Sequence, residues 1–181
     1  MARYAILVID MLNDFVYGAL KCERAKRIIP CIKRLIEWAH EKGIPVIYAN
    51  DAHVPDVDHE FKLWGPHAIK GTWGAQVIDE LKPTSKDYVI EKRRYSAFYE
   101  TGLDLLLREL GVDTVVLTGL HTNCCVKHTA ADAFYRGYNI IVISDCVEAF
   151  TEEDHKWGLE YMRKIYGAKI MSLEEFISKS S

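Results

Sequence analysis

The segment Thr114-Val115-Val116-Leu117-Thr118-Gly119-Leu120-His121-Thr122-Asn123-Cys124-Cys125-Val126 begins as a β-branched run of strand length and breaks at Gly119 into a polar loop. It resumes as a helix, because Val126, Thr129, Ala130 and Ala133 recur on one helical face. Strand, loop and helix in that order form half of a right-handed βαβ unit. The same rhythm extends in both directions. Strand-like runs cover Tyr4 to Ile9, Pro45 to Ala49, Tyr88 to Glu91, Ile140 to Ser144 and Lys169 to Met171. Helical patterns cover Ala25 to Lys42, Gly102 to Leu110, Cys125 to Tyr135 and Glu152 to Tyr166, with a short helix from Ala75 to Leu81. In the first of these, Ile28, Ile32, Leu35, Ile36 and Ala39 form the buried stripe, and Gly43 ends it. Alternation of this kind predicts an α/β fold: a doubly wound, mainly parallel sheet with helices on both faces. A single domain over residues 1–181 suffices.

Between Asn50 and Gly74 the periodicity stops. Loops this long are usually functional or disordered, and Trp64, Trp73, His53, His59 and His67 favour function, since they pack or ligate. The segment is expected to wall an active site.

Composition narrows the partners. With 23 basic and 26 acidic residues and a net charge of −3, the chain has no global field suited to nucleic acid or an anionic membrane. A small neutral substrate fits better. The N-terminal residues carry no secretory pattern and no apolar run approaches a bilayer's thickness, so a cytoplasmic protein is expected. The five cysteines are an odd set without a C-x-x-C pair, which predicts reduced thiols and no cysteine zinc cluster.

Three residues share a position at the end of a strand-like run: Asp10, Lys92 and, one loop further, Cys125. An acid, a cation and a thiol at one edge of a parallel sheet supply a nucleophile, its proton acceptor and its activator. At a helix N-terminus Cys125 is expected to have a lowered thiol pKa, with N–H groups nearby to hold an oxyanion. Each residue also has a plainer reading: a buried structural cysteine, a loop-capping aspartate, and a lysine in the solvated run Lys92-Arg93-Arg94. Cys124 competes as the nucleophile. Asp51-Ala52-His53 with His67 places a carboxylate and two imidazoles on the long loop, the donor types of zinc and other transition ions. Surface histidines are the alternative.

Ile9-Asp10-Met11-Leu12-Asn13-Asp14-Phe15, Asn50-Asp51-Ala52-His53, Trp64-Gly65-Pro66-His67 with Lys70-Gly71-Thr72, Glu91-Lys92 with Tyr95-Ser96-Ala97-Phe98, and Gly119 to Val126 together resemble the isochorismatase-like cysteine hydrolases. The nicotinamidase and N-carbamoylsarcosine amidase branches are the nearest. The resemblance implies a six-stranded sheet and a catalytic triad of Asp10, Lys92 and Cys125. It also implies a cis Leu120–His121 bond, with backbone N–H groups of His121 and Cys125 as the oxyanion hole. Phe15 and Trp64 would hold a planar ring. Asp51, His53 and His67 would bind a divalent metal, zinc by preference, with iron or manganese also suited. The implied activity is thioester-mediated cleavage of a small non-peptide amide with release of ammonia, nicotinamide being the first substrate. N-carbamoylsarcosine hydrolysis, isochorismate cleavage and a non-catalytic metal-stabilised binding protein are the alternatives. A homo-oligomer, dimer or tetramer, is implied as well, and Trp157, Tyr161 and Tyr166 could serve an interface or pack on the sheet. Two features depart from the family pattern: His121 stands where a small or apolar residue is common, and Ala68 follows His67.

Overall fold

The computed structural model describes residues 2–180. Six parallel strands, β1 (Tyr4–Ile9), β2 (Val46–Asp51), β3 (Tyr88–Lys92), β4 (Thr114–Leu120), β5 (Asn139–Glu148) and β6 (Lys169–Met171), form one sheet in the order β3-β2-β1-β4-β5-β6. The order reverses between β1 and β4, so the crevice beyond their carboxyl ends is the place where such sheets bind ligands. The helices are α1 (Asn13–Val16), α2 (Ile29–Lys42), α3 (Phe61–Trp64), α4 (Leu103–Glu109), α5 (Lys127–Tyr135), α6 (Glu152–Tyr166) and α7 (Leu173–Ser180).

Strand periodicity divides the core in two. In β1, Ile6 and Val8 face a layer built from α2 and α7, while Ala5, Leu7 and Ile9 face one built from α4, α5 and α6. Burial on both faces explains why the strands read as continuous apolar runs. Two helix boundaries follow from local chemistry. The Thr151 hydroxyl accepts a hydrogen bond from the Asp154 N–H at the start of α6 (3.1 Å). Gly43, at φ +66°, closes α2 by donating its N–H to the carbonyls of Ala39 and His40.

Several expectations need correction. Ala75 to Leu81 is not a helix. Short 3₁₀ turns at Trp73–Ala75 and Asp79–Leu81 flank an extended stretch in which Val77 bridges Leu12 in antiparallel fashion. Ile78 donates to the Met11 carbonyl (3.0 Å) and Asn13 to that of Gln76 (2.9 Å). Pairing with the segment after β1 satisfies these backbone groups and buries Ile78, which outweighs local helix preference. α7 was not foreseen; Phe176 anchors it edge-on to Tyr4 and Trp38, at 5.4 and 5.3 Å. Nor are all thiols free: Cys31 of α2 and Cys146 of β5 form a disulfide across 115 residues, their Cα atoms 5.5 Å apart. Helix and strand meet only in the folded layer, so sequence spacing carries no trace of the pair. Among the described residues no helix is long and apolar enough to cross a membrane. Trp157, Tyr161 and Tyr166 form a chain of ring contacts along α6, with the Lys127 ammonium over the first two.

Where β4 passes β1, Gly119 lies opposite Ile9 at φ +99°, and a Cβ there would sit 2.0 Å from the Ile9 carbonyl oxygen. A side chain must therefore push apart the two central strands. Gly119→Ala is expected to cost at least about 3 kcal/mol in a urea titration, from strain plus the steric clash. Gly43→Ala, also left-handed but with open space around it, should cost only about 1–2 kcal/mol.

Candidate active site

The site assembles at the strand ends. Asp10 follows β1 directly at φ +53°, an uncommon conformation for a residue with a side chain. Its N–H is tied to the Ala49 carbonyl (3.1 Å). One carboxylate oxygen accepts the Asp51 N–H (2.8 Å) and the other accepts from the Lys92 ammonium (2.8 Å). Lys92, the last residue of β3, is 1% exposed. Its Nζ also donates to Asp51 Oδ1 (2.5 Å) and the Arg94 carbonyl (3.3 Å), and lies 3.6 Å from Cys125 Sγ. Donor atoms of Asp10, Asp51 and Cys125 fall within 4.8 Å of one another. The three residues singled out at strand ends therefore meet.

Cys125 sits in a π-type turn, Thr122–Val126, that leads into α5. The bond between Leu120 and His121 is cis. The thiol pKa is not lowered as its place before a helix suggested. A hydrogen bond with Cys124 and burial push it well above its ordinary value, and the Lys92 charge offsets only part of that. Burial and the adjacent Asp51 charge also push Asp10 up, to about 6. For Lys92, burial works against the charge, but the carboxylates of Asp10 and Asp51 more than compensate and hold it protonated.

Beside this cluster lies a second one. Asp51, His53, Glu60 and His67, all buried, bring their donor atoms within 4.8 Å of one another. Each imidazole is held through its far nitrogen: His53 Nδ1 pairs with Asp58 (2.8 Å) and His67 Nδ1 with the Gly65 carbonyl (2.7 Å). Asp58 is fixed in turn by the Arg93 guanidinium and the Val54 N–H. His53 Nε2 and Glu60 Oε1 are buried without a hydrogen-bond partner. Unpaired buried acceptors are costly. Two imidazoles and two carboxylates with tautomers fixed from outside are the donors a divalent cation needs, and the residues fit that group. Asp51 belongs to both clusters. Glu60 escaped the sequence reading because it lies in an aperiodic loop without a ligand spacing; its neighbours His53 and His67 were the only hint.

Both clusters open into one cavity of about 210 Å³. Phe15 and Trp64 both line it, and Phe15 stands edge-on to His67 and His121, at 5.7 and 5.8 Å. The ring nearly parallel to Trp64 is Phe150 (6.5 Å between centroids, 21°), which no motif had marked. His121 lines the cavity too, its ring stacked on Phe150 at 4.3 Å. Ala68 has a function in the backbone: its N–H donates to Asp14 (2.8 Å), tying the His67 loop to the segment after β1.

Comparison with known proteins identifies the family and the fold. The isochorismatase domain family matches residues 4–175. The crystal structure of N-carbamoylsarcosine amidase from Thermoplasma acidophilum is 45% identical, covers 96% of this chain and 98% of its own, and superposes with a TM-score of 0.89. Nicotinamidase PncA from Bacillus subtilis is 37% identical over 94% of this chain and 99% of its own, with a TM-score of 0.89. Pyrazinamidase of Pyrococcus horikoshii, solved in complex with zinc, is 30% identical over 94% and 99%, with a TM-score of 0.87. The chain belongs to the isochorismatase family and is a hydrolase of that family.

Proposed function

We propose that this protein is a cysteine-dependent amidohydrolase that cleaves the C–N bond of a small, uncharged primary amide and releases ammonia, with nicotinamide as its first substrate. The observation that carries this is the position of the Lys92 ammonium, 2.8 Å from Asp10 and 3.6 Å from the Cys125 sulfur. In the catalytic cycle Cys125 Sγ attacks the amide carbonyl as its proton passes to Asp10, whose raised pKa suits a general base. The oxyanion is held by the N–H groups of His121 and Cys125. Asp10 returns the proton to the departing nitrogen, the C–N bond breaks, and ammonia leaves a thioester. Water then adds as Asp10 takes its proton; the C–S bond breaks and the thiol is restored.

Asp51, His53, Glu60 and His67 would hold a divalent ion, zinc by preference, which supplies when bound a Lewis-acidic anchor for a ring nitrogen. Phe15 and Trp64 pack against the ring.

Substrate charge separates the branches. Among the described residues no lysine or arginine lines the cavity. A carboxylate, as carried by N-carbamoylsarcosine or isochorismate, would meet no side-chain counter-ion there. That favours nicotinamide, although the higher identity to the Thermoplasma amidase keeps N-carbamoylsarcosine hydrolysis as the second reading.

Ammonia release is expected from nicotinamide and pyrazinamide, more slowly from N-carbamoylsarcosine, and no pyruvate from isochorismate. The reverse order of the amides would move the protein to the other branch. Cys125→Ala should lower kcat by at least about 10⁴-fold while retaining ligand binding; an active Cys125→Ala protein would exclude covalent catalysis. For the metal, purified protein should contain one divalent ion per chain by elemental analysis. His53→Ala should lose it. Asp58→Asn, which meets the ligand set only through the far side of His53, should weaken affinity about 10–100-fold in a chelator competition.

A further inference from the structure

The turn that presents Cys125 is held from outside by side chains that the chemistry above does not use. Within the turn, the N–H groups of Cys124 and Val126 both converge on the His121 carbonyl, at 3.0 and 3.2 Å. Turns of this π type are rare and recur at functional sites. Support comes from α6. Gly158 brings that helix so close that a Cβ there would lie 3.0 Å from backbone atoms of both Thr122 and Asn123. Three residues earlier, on the same helical face, His155 Nδ1 lies 2.8 Å from the hydroxyl of Thr122, the fully buried first residue of the turn.

Behind the imidazole stands a buried carboxylate. Glu148, the last residue of β5, is in register with Leu120, the residue just before His121. Its Oε1 accepts the Ala149 N–H (3.0 Å), pairs with Arg24 Nε (3.0 Å) and stands 3.7 Å from His155 Nδ1. That placement selects the tautomer. A lone pair on Nδ1 would face the carboxylate, whereas an N–H there is attracted to it. Burial outweighs the Glu148 charge and pushes the His155 pKa down, so the ring is neutral near neutral pH. Its single proton therefore sits on Nδ1, which donates to Thr122 Oγ1.

Thr122 lies between His121 and Cys125, whose N–H groups meet the oxyanion in the proposed cycle. Such donors work only over a narrow range of distance, so the turn that carries them must not drift. We propose that His155 is a positioning residue: directed by Glu148, it donates to Thr122 and fixes the turn so that the His121 and Cys125 N–H groups meet the oxyanion. The inference rests on the amidohydrolase reading and deepens it. None of the three side chains touches a reacting atom.

An oxyanion contact exists only in the transition state, so its loss lowers kcat and kcat/KM together. The substrate for the test is the fastest of nicotinamide, pyrazinamide and N-carbamoylsarcosine. His155→Leu and Thr122→Val should each lower kcat about 10–100-fold with KM within about twofold, a smaller loss than deleting an oxyanion donor outright. The double variant should fall no more than about threefold below either single one, because the two residues act as a unit. His155→Asn, whose amide N–H replaces that of Nδ1, and Thr122→Ser, which keeps the hydroxyl, should stay within about threefold of wild type.

Alkylation of Cys125 by iodoacetamide, followed by peptide mass spectrometry, separates positioning from packing, because it forms no oxyanion and Cys125 is only 5% exposed. In His155→Leu and Thr122→Val its rate should stay within about threefold of wild type, whereas a loosened turn would uncover the sulfur and accelerate it. Unchanged kcat in both variants, or alkylation that speeds up or falls in step with kcat, overturns the positioning role while amide hydrolysis stands. Should His155→Leu fail to fold, the nearly isosteric Thr122→Val decides by the same two measurements. Wild-type protein that releases ammonia from no amide overturns the proposed function, and the positioning role with it.

Discussion

A buried ammonium organises this molecule. Lys92 ends a strand two places from the sheet's switch point, and its long side chain reaches toward the crevice between β1 and β4. Removing such a charge from water costs several kcal/mol even after relaxation, and removing one partner of a buried pair leaves the other uncompensated. Asp10 and Asp51 supply the compensation at 2.8 and 2.5 Å, and the Arg94 carbonyl takes a further N–H. With three acceptors placed by three different segments, the ammonium fixes the relative positions of β1, β2 and the turn after β3. Cys125 approaches the same nitrogen from β4.

The two clusters of the site are therefore one electrostatic unit. Asp51 gives one oxygen to Lys92 and directs the other toward His53 Nε2, 3.6 Å away. Outer contacts then fix the orientation of what surrounds it. Asp58 and Arg93 hold His53, Gly65 holds His67, and Asp14 holds the backbone after His67. None of these supporting residues needs to touch a ligand, yet each limits where the donor atoms can go.

The parts of this arrangement that the sequence made legible are those that depend on period and position. Continuous apolar runs such as Tyr4–Ile9 reveal strands buried on both faces, and strand ends reveal where Asp10, Lys92 and Cys125 converge. His53 and His67 were visible because imidazoles are rare enough to notice. What stayed hidden depends on contacts between distant segments. Glu60 joins the ligand set through loop geometry, Phe150 meets Trp64 from a distant segment, and Cys31 finds Cys146 only when α2 packs on β5. The stretch around Val77 shows the same principle in the backbone: its hydrogen bonds go to residues 11–13, a choice no local propensity encodes. The thiol's pKa departs from what its position in the chain suggests for a related reason. Proximity to a helix start argues for lowering, but the environment of Cys125, hydrogen-bonded to Cys124 and enclosed, prevails.

That raised thiol is consistent with the charges around it. Lys92 is already shared by two carboxylates, so a resting thiolate would add a second uncompensated negative charge to an enclosed space. Keeping the proton on sulfur avoids this, and also withholds the form that oxidants attack. On the proposed reading the proton leaves only as the carbon–sulfur bond forms. Its acceptor is Asp10, so the negative charge moves from carboxylate to sulfur and on to the carbonyl oxygen while the total stays constant. The ammonium need not move: it lies against the donor and the acceptor of the proton at once. An enclosed site can tolerate such a relocation of charge where it could not tolerate the creation of one, and this is the physical reason that the carboxylate, the amine and the thiol must share one pocket.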